Sequence, residues 1–344
     1  MKHGKLAALG LMALSCAAPT VSHAAENNAA LTTRFTYEAT VPDTGAPLRL
    51  WMPLPSNSEW QTVRDVAIEG VDAYQVNKEA KHGNRMVYVE APQGPLKIKV
   101  AFTVDRRDVR VLAGNETSTA VKTQPVASWL EEALTSDAKV PIGGRYGDMA
   151  RQLVGGKQGA TAQMRAFFDN VVATMQYDYN KESPKLGEGD VAFVCDYKKG
   201  NCSDLHSYII SMGRSMGVPA ILEYGFPITG IPTDEPLKTE GKIGGYHCWT
   251  WFQDGGRWIP LDASDARRWL DKGNAQMKDF EFGNLVTPRS AVAMSMGRDI
   301  TLVPAQQAPP LNYFIYPYAE SKGGPVKAEW TLTYNLLDFT KVKP

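Results

Sequence analysis

Gly200-Asn201-Cys202-Ser203-Asp204-Leu205-His206-Ser207-Tyr208-Ile209-Ile210-Ser211-Met212-Gly213-Arg214-Ser215-Met216-Gly217-Val218-Pro219 is the stretch on which the reading of this chain turns. Leu205, Ile209, Met212 and Met216 recur at three- and four-residue steps, the period of a helix with one buried face. Asn201 is a strong N-cap residue, and Gly217 followed by Pro219 is a stop signal. The spacing predicts a helix that begins at Cys202. That cysteine lies three residues before Leu205 and so on the inward face, in the first turn. There, unpaired backbone N–H groups and the positive end of the helix dipole favour a thiolate over a thiol.

Downstream, strands are expected over 220–226, 246–253 and 257–261, with Asp254-Gly255-Gly256 as a tight hairpin turn. The pairing sets His247, near the start of one strand, roughly opposite Asp262, at the end of the next. Cys202, His247 and Asp262 thus supply a thiol, an imidazole and a carboxylate on three adjacent elements, the parts of a charge-oriented nucleophile. Alternation sends Cys248 to the other face from His247, which argues against a second nucleophile. His206, four residues after Cys202 on the same helix, is a rival base, but a base on a facing strand approaches the sulfur better. Trp249, Trp251 and Trp258 either line an acyl groove or pack as core. His82, in a glycine-flanked turn, reads as solvated. The 228–244 stretch, rich in Gly, Pro and Thr, reads as a lid or a surface excursion.

Upstream, helices are expected over 129–134 and 149–153, and a longer one carries Met164, Phe167, Phe168, Val171, Val172 and Met175. The 181–200 stretch reads as an irregular loop leading into the cysteine. Earlier still, Phe35, Tyr37, Ala39 and Val41 alternate with polar neighbours, as do Leu96, Ile98, Val100, Phe102 and Val104. Short runs at 48–52, 63–68 and 86–89 lie between them, punctuated by turn clusters. The fold class is therefore α+β: an N-terminal antiparallel β-sandwich-like domain over 25–124, then a catalytic domain over 125–344. Runs at 311–318 and 328–336, around Gly323-Gly324, predict a C-terminal hairpin that extends the catalytic sheet or seals its edge.

Lys2 and Lys5, an apolar stretch at 6–18 and Ser22-His23-Ala24 have the layout of a secretory leader cleaved after Ala24. The stretch is too short to span a membrane, so an exported, secreted or periplasmic protein is expected. About 320 residues then remain, enough for two domains. The full chain balances 37 basic against 37 acidic side chains. Loss of the two leader lysines leaves it slightly acidic, with no electrostatic footprint for nucleic acid or an anionic membrane. Cys16 leaves with the leader, so Cys195, Cys202 and Cys248 remain. An odd number in an exported protein points to a reactive thiol. Cys195 and Cys248 are then either a disulfide or two buried apolar thiols. The histidines are too scattered for a zinc cage and no acidic loop has calcium spacing; neither metal nor cofactor is expected.

Gly200-Asn201-Cys202-Ser203-Asp204, Gly217-Val218-Pro219-Ala220, Tyr246-His247-Cys248-Trp249 and Trp258-Ile259-Pro260-Leu261-Asp262 together resemble the bacterial exported transglutaminase-like superfamily, most specifically over 160–265. Leu50-Trp51-Met52-Pro53-Leu54-Pro55 is similar to N-terminal parts of exported members, and Gly297-Arg298-Asp299-Ile300 and Asn312-Tyr313-Phe314-Ile315-Tyr316-Pro317 to C-terminal ones. The resemblance implies a papain-like α+β core with Cys202 as nucleophile, His247 as base and Asp262 as orienting acid. The expected chemistry is acyl transfer or hydrolysis on carboxamides through a Cys202 thioester, with protein or peptide substrates, cell-wall peptides among them. A cysteine peptidase or amidase on the same core, and a non-catalytic binding module, are the alternatives.

Overall fold

The computed structural model describes residues 30–111, 128–230 and 237–340. The expected leader and the expected boundary between 124 and 125 lie outside the described residues. Within them the chain is α+β and rich in antiparallel sheet. One five-stranded sheet runs in spatial order Glu240–Ile243, Glu329–Phe339, Leu31–Val41, Leu96–Arg106, Gln61–Glu69. A second runs Gly324–Val326, Tyr318–Ser321, Leu48–Leu54, Arg85–Ala91, Gln75–Lys78. The alternation read from the sequence has its cause here. Phe35, Tyr37, Val100 and Phe102 of the first sheet share one buried cluster with Leu50, Met52, Val87 and Val89 of the second, while Glu38 and Lys97 face outward.

The expectation that the C-terminal hairpin extends the catalytic sheet is corrected. Glu329–Phe339 pairs along the whole of Leu31–Val41, and Tyr318–Ser321 pairs with Leu48–Leu54. Strand alternation fixes which side chains face a core but not which sheet a strand joins. The 228–244 stretch likewise holds a strand, Glu240–Ile243, that closes the edge beside Glu329–Phe339. The expected loop at 181–200 contains the helix Val191–Tyr197, capped by the Asp190 carboxylate on the Phe193 N–H and ended by a left-handed Lys198. Seven residues are too few for a periodic signal to stand out. His82 is not solvated: it is 3% exposed, its N–H held by the Glu79 carboxylate.

The sheet that carries His247 is separate and four-stranded, in the order Arg257–Leu261, His247–Asp254, Ala220–Phe226, Val292–Met296. Its hairpin turns at Gly255 and Gly256, both at positive φ (56° and 80°), the geometry of a two-residue type I′ turn. The helix Cys202–Ser215 starts where the sequence puts it and packs on the strands Ala220–Phe226 and His247–Asp254. A helix with a single buried face is expected; instead every residue from Cys202 to Arg214 is buried. Its polar side is matched by internal partners. Ser207 donates to the Ser203 carbonyl at 2.5 Å, and Arg214 reaches the Asp137 carboxylate at 2.7 Å and the Ala220 carbonyl at 2.8 Å.

The sandwich side is fastened to this sheet through side-chain amides. Gln61 accepts from the Ala293 N–H at 2.8 Å and donates to the Ala293 carbonyl at 2.9 Å. Asn84 does the same to Met296, at 2.7 and 2.8 Å. Each amide stands in for a peptide unit and satisfies the open edge of Val292–Met296.

Gly225 pairs directly with His247. A Cβ there would lie 2.1 Å from the Val292 carbonyl oxygen and 2.7 Å from the Trp249 ring. Gly225→Ala is expected to destabilise the protein by about 2–3 kcal/mol, since the obstruction includes backbone. A urea midpoint equal to the parent's would contradict the pairing that sets His247.

Candidate active site

Cys202 is the first residue of its helix and is 3% exposed. A reciprocal capping box fixes it. The Asn201 side chain accepts the Ser203 N–H at 2.9 Å, and the Asp204 carboxylate accepts the Asn201 N–H at 2.9 Å. Asp204 also accepts from Gly187 at 2.9 Å and Gly189 at 2.8 Å, so the preceding loop is tied to the helix start. Asp204 thus acts as a cap. Tyr177 comes alongside through the short parallel pair Gln176–Tyr177 with Lys199–Gly200.

His247 and Asp262 meet at 2.5 Å between Nε2 and Oδ2. That leaves the Nδ1 side of the ring for the sulfur of Cys202, with which His247 is in hydrogen-bond contact. The second oxygen of Asp262 caps the helix Ala263–Asp271, accepting from the Asp265 N–H at 2.9 Å and the Ser264 hydroxyl at 2.8 Å. Asp262 is therefore at once a cap and the carboxylate that orients the imidazole. Behind it Asp265 lies 3.7 Å from His247 Nε2 and is gripped by Arg289 at 2.6 and 2.8 Å and by Arg268 at 2.9 Å. His247, Asp262 and Asp265 converge closely enough to suit a cation, but the Arg289 guanidinium already supplies the positive charge to Asp265.

The charges follow from this packing. Burial and Arg289 both push the His247 pKa down, but the Asp262 and Asp265 carboxylates outweigh them and raise it to about 9. The Asp262 carboxyl, despite burial, is held well below the usual range by His247. The Cys202 thiol is drawn well below its ordinary value, first by a hydrogen bond from Cys248 and then by His247, against the opposing effect of burial. The preferred state is a thiolate beside an imidazolium.

All three residues singled out from sequence, Cys202, His247 and Asp262, are thus brought together. Other expectations change. Cys195 and Cys248 do not form a disulfide: Cys195 packs on the sulfur of Met149 at 3.7 Å, and Cys248 lies among Ser203, His206 and Cys202. Alternation holds along the strand, but the face it assigns to Cys248 is the one that the Cys202 helix covers. His247, first in its strand, stands at the end of the sheet, and its ring reaches the sulfur there. His206 contacts Cys248 and the Ala263 N–H rather than serving as the partner of Cys202. Trp249, Trp251 and Trp258 are buried together as core, and the first two donate to Glu223 at 2.6 and 2.8 Å.

Asp265 and Arg289 escaped the sequence reading. A carboxylate three residues after a cap is a common first-turn residue, and no local pattern links it to an arginine 24 positions on. The described ends of the 228–244 stretch, with Gly245 and Arg289, line an open cavity of about 500 Å³ two residues from His247. Residues 231–236 of that stretch lie outside the described residues.

In Asp262→Asn the carboxylate that holds the proton on His247 is gone, so the imidazole pKa is expected to fall from about 9 by at least two units. NMR titration of the His247 ring reads this directly. A ring titrating near 6.5 in the parent would rule out the buried ion pair.

Several known proteins are similar to this chain. Residues 147–263 match the transglutaminase-like superfamily. An uncharacterised protein of Haemophilus influenzae is 26% identical over 323 residues, covering 85% of this chain and 86% of its own. Among solved structures, a proposed cysteine protease from Cytophaga hutchinsonii has the same fold at 13% identity, with a TM-score of 0.56 over 91% of this chain and 93% of that one. The periplasmic domain of TgpA from Pseudomonas aeruginosa is a looser match, 15% identical with a TM-score of 0.33 over 72% of this chain and 93% of its own. Among the described residues no helix is long and apolar enough to cross a membrane. Residues 147–263 of this chain are thus similar to the transglutaminase-like superfamily.

Proposed function

We propose that the protein is a cysteine acyltransferase or amide hydrolase that works through a thioester on Cys202. The observation that carries this is the contact of a helix-start thiol with an imidazole that a buried carboxylate holds at 2.5 Å. The match of residues 147–263 to the transglutaminase-like superfamily supports a thiol-dependent activity in general terms; the roles of the residues rest on the geometry.

The Cys202 thiolate attacks the carbonyl carbon of a carboxamide, and the C–N bond breaks as the His247 imidazolium gives its proton to the leaving nitrogen. Ammonia or an amine departs. The neutral imidazole then takes a proton from the second nucleophile, a primary amine or water, which attacks the thioester and releases the thiolate. Asp262 keeps the ring oriented and stabilises its charged form. With the Asn201 side chain capping the first turn, the backbone N–H of Cys202 at the helix start is the donor offered to the oxyanion. We assign entry of the acyl donor to the side of the cavity lined by Gly245 and Arg289, on the ground that Gly245 is two residues before His247 and Arg289 grips Asp265. Protein or peptide amides are the substrates in this reading, met outside the cytoplasm after loss of the leader at Ala24.

A glutamine-bearing peptide with a fluorescent primary amine separates the possibilities. Amine incorporation marks a transferase, ammonia release without incorporation an amidase, and backbone cleavage a peptidase. Cys202→Ala is expected to lower turnover by roughly 10³- to 10⁶-fold, and Asp262→Asn by roughly 10²- to 10⁴-fold. A Cys202→Ala protein as active as the parent would overturn the proposal. If Cys202 is slow to alkylate, and equally so in His247→Ala, the fold serves as a binding module.

A further inference from the structure

Cys248 takes no part in the mechanism above, yet it is wholly buried against the reacting sulfur. Its hydrogen can be placed from its neighbours. His206 Nε2 accepts the Ala263 N–H at 3.0 Å. An imidazole that accepts at one nitrogen carries its hydrogen on the other, so Nδ1 is the donor, and it faces Cys248 Sγ at 3.8 Å. The Asp262 oxygen, 3.4 Å from Nε2, is the more distant of the two contacts on that nitrogen. Cys248 sulfur is thus the acceptor for His206, and its own hydrogen is left for another partner. Ser203 Oγ, 3.7 Å from Cys248, is engaged more tightly with the Tyr246 hydroxyl at 2.7 Å. The remaining partner is the Cys202 sulfur, with which Cys248 is in hydrogen-bond contact.

Resting on the reading of Cys202 as nucleophile, we infer that Cys248 is a positioning residue whose S–H donates to the Cys202 thiolate and is aimed there by His206. The chain of donors runs from the Ala263 N–H through His206 and Cys248 to the reacting sulfur. It adds to the His247 contact a donor that carries no charge and stays in place when the imidazolium gives up its proton. The thiolate regenerated on thioester breakdown therefore meets a hydrogen-bond donor at once. Burial first, then the Cys202 thiolate, raise the Cys248 pKa well above the ordinary thiol value, which keeps that hydrogen on Cys248.

Other groups facing the thiolate do not change this ordering. Tyr177, Tyr246, Tyr313 and Tyr316 all have phenols pushed up by burial and stay neutral through the range in which Cys202 titrates. Asp204, on the same helix, has its carboxyl raised by burial, and its effect is common to every variant compared. Around Cys248 itself stand Tyr224, neutral for the same reason, together with Asp262 and Arg298.

The test is the rate of Cys202 alkylation by iodoacetamide against pH, with the modified thiol located by mass spectrometry, in the parent, Cys248→Ala and Cys248→Ser. Cys248→Ala is expected to raise the apparent pKa of Cys202 by about one to two units, and so to cut alkylation about tenfold or more at pH values below the new pKa. Cys248→Ser, which keeps a donor, is expected to stay within about half a unit of the parent. A merely structural role would lower stability without moving the titration. If the parent shows a depressed pKa that Cys248→Ala leaves unchanged, the inference about Cys248 fails and the nucleophile stands. If the parent itself titrates as an ordinary thiol, the nucleophile reading fails first. Should Cys248→Ala not fold, the S–H infrared band of the parent decides: a bonded, red-shifted band that reverts in Cys202→Ala supports the donor, and an unshifted band overturns it.

Discussion

The site depends on one carboxylate. Asp262 places one oxygen 2.5 Å from His247 and gives the other to the start of the helix Ala263–Asp271. An exposed turn aspartate would do neither, because water would compete for both oxygens. Buried, it must be paired, and the partners available are an imidazolium and the N–H groups of a helix start. Cys202 is placed by the same principle at the start of a second helix. Two anions thus sit at two positive helix ends with a single cation, His247, between them. The fold builds this by ending one strand at the Asp262 cap, beginning another at His247, and laying the Cys202 helix over the His247 strand and its neighbour Ala220–Phe226.

The sandwich has a part in this beyond covering hydrophobic surface. Gln61 and Asn84 close the open edge of the strand Val292–Met296, whose neighbour, Ala220–Phe226, pairs in turn with the His247 strand. On the other side Tyr37 of the sandwich meets Phe226 and Trp330 edge-on, at 5.9 Å each, and Trp330 stacks on Tyr316 at 4.8 Å. Tyr316 accepts the Tyr246 N–H at 3.3 Å, one residue before His247. The C-terminal strands carry this aromatic wall because they pair within the sandwich rather than on the catalytic sheet. A shift of the sandwich would move the backbone that carries the base.

Most of the catalytic unit was legible because its signals are local. Asn201 and Gly217-Val218-Pro219 bracket the helix, Asp254-Gly255-Gly256 forces the hairpin, and the three chemical residues stand at the ends of those elements. What could not be read depends on contacts distant in sequence. The pairing of Glu329–Phe339 with Leu31–Val41 joins the two ends of the described chain, and alternation in either strand is indifferent to its partner. The place of Cys248 needed to be known relative to the helix above it, not only to His247. The helix itself read as half-exposed because Ser203, Ser207, Ser211 and Arg214 are polar, and only the tertiary structure brings them the Tyr246 hydroxyl, the Arg298 guanidinium, the Pro141 carbonyl and the Asp137 carboxylate that let them be buried.

A buried site of this charge density is tenable only if its charges balance. In the proposed reactive state the anions are the Cys202 thiolate, Asp262 and Asp265, and the cations are His247, Arg289 and Arg268. With Asp265 unpaired, His247 would be held by two free carboxylates and would give up its proton reluctantly. Arg289 takes both oxygens of Asp265 and lowers the imidazole pKa. The base is then poised between a carboxylate that holds its proton and a guanidinium that loosens it. An acid–base group must release as well as retain a proton, and efficiency is greatest when neither tendency dominates. Asp265 and Arg289 therefore belong to the candidate site even though neither touches the Cys202 sulfur: in the proposed mechanism they set how firmly Asp262 holds the proton on His247.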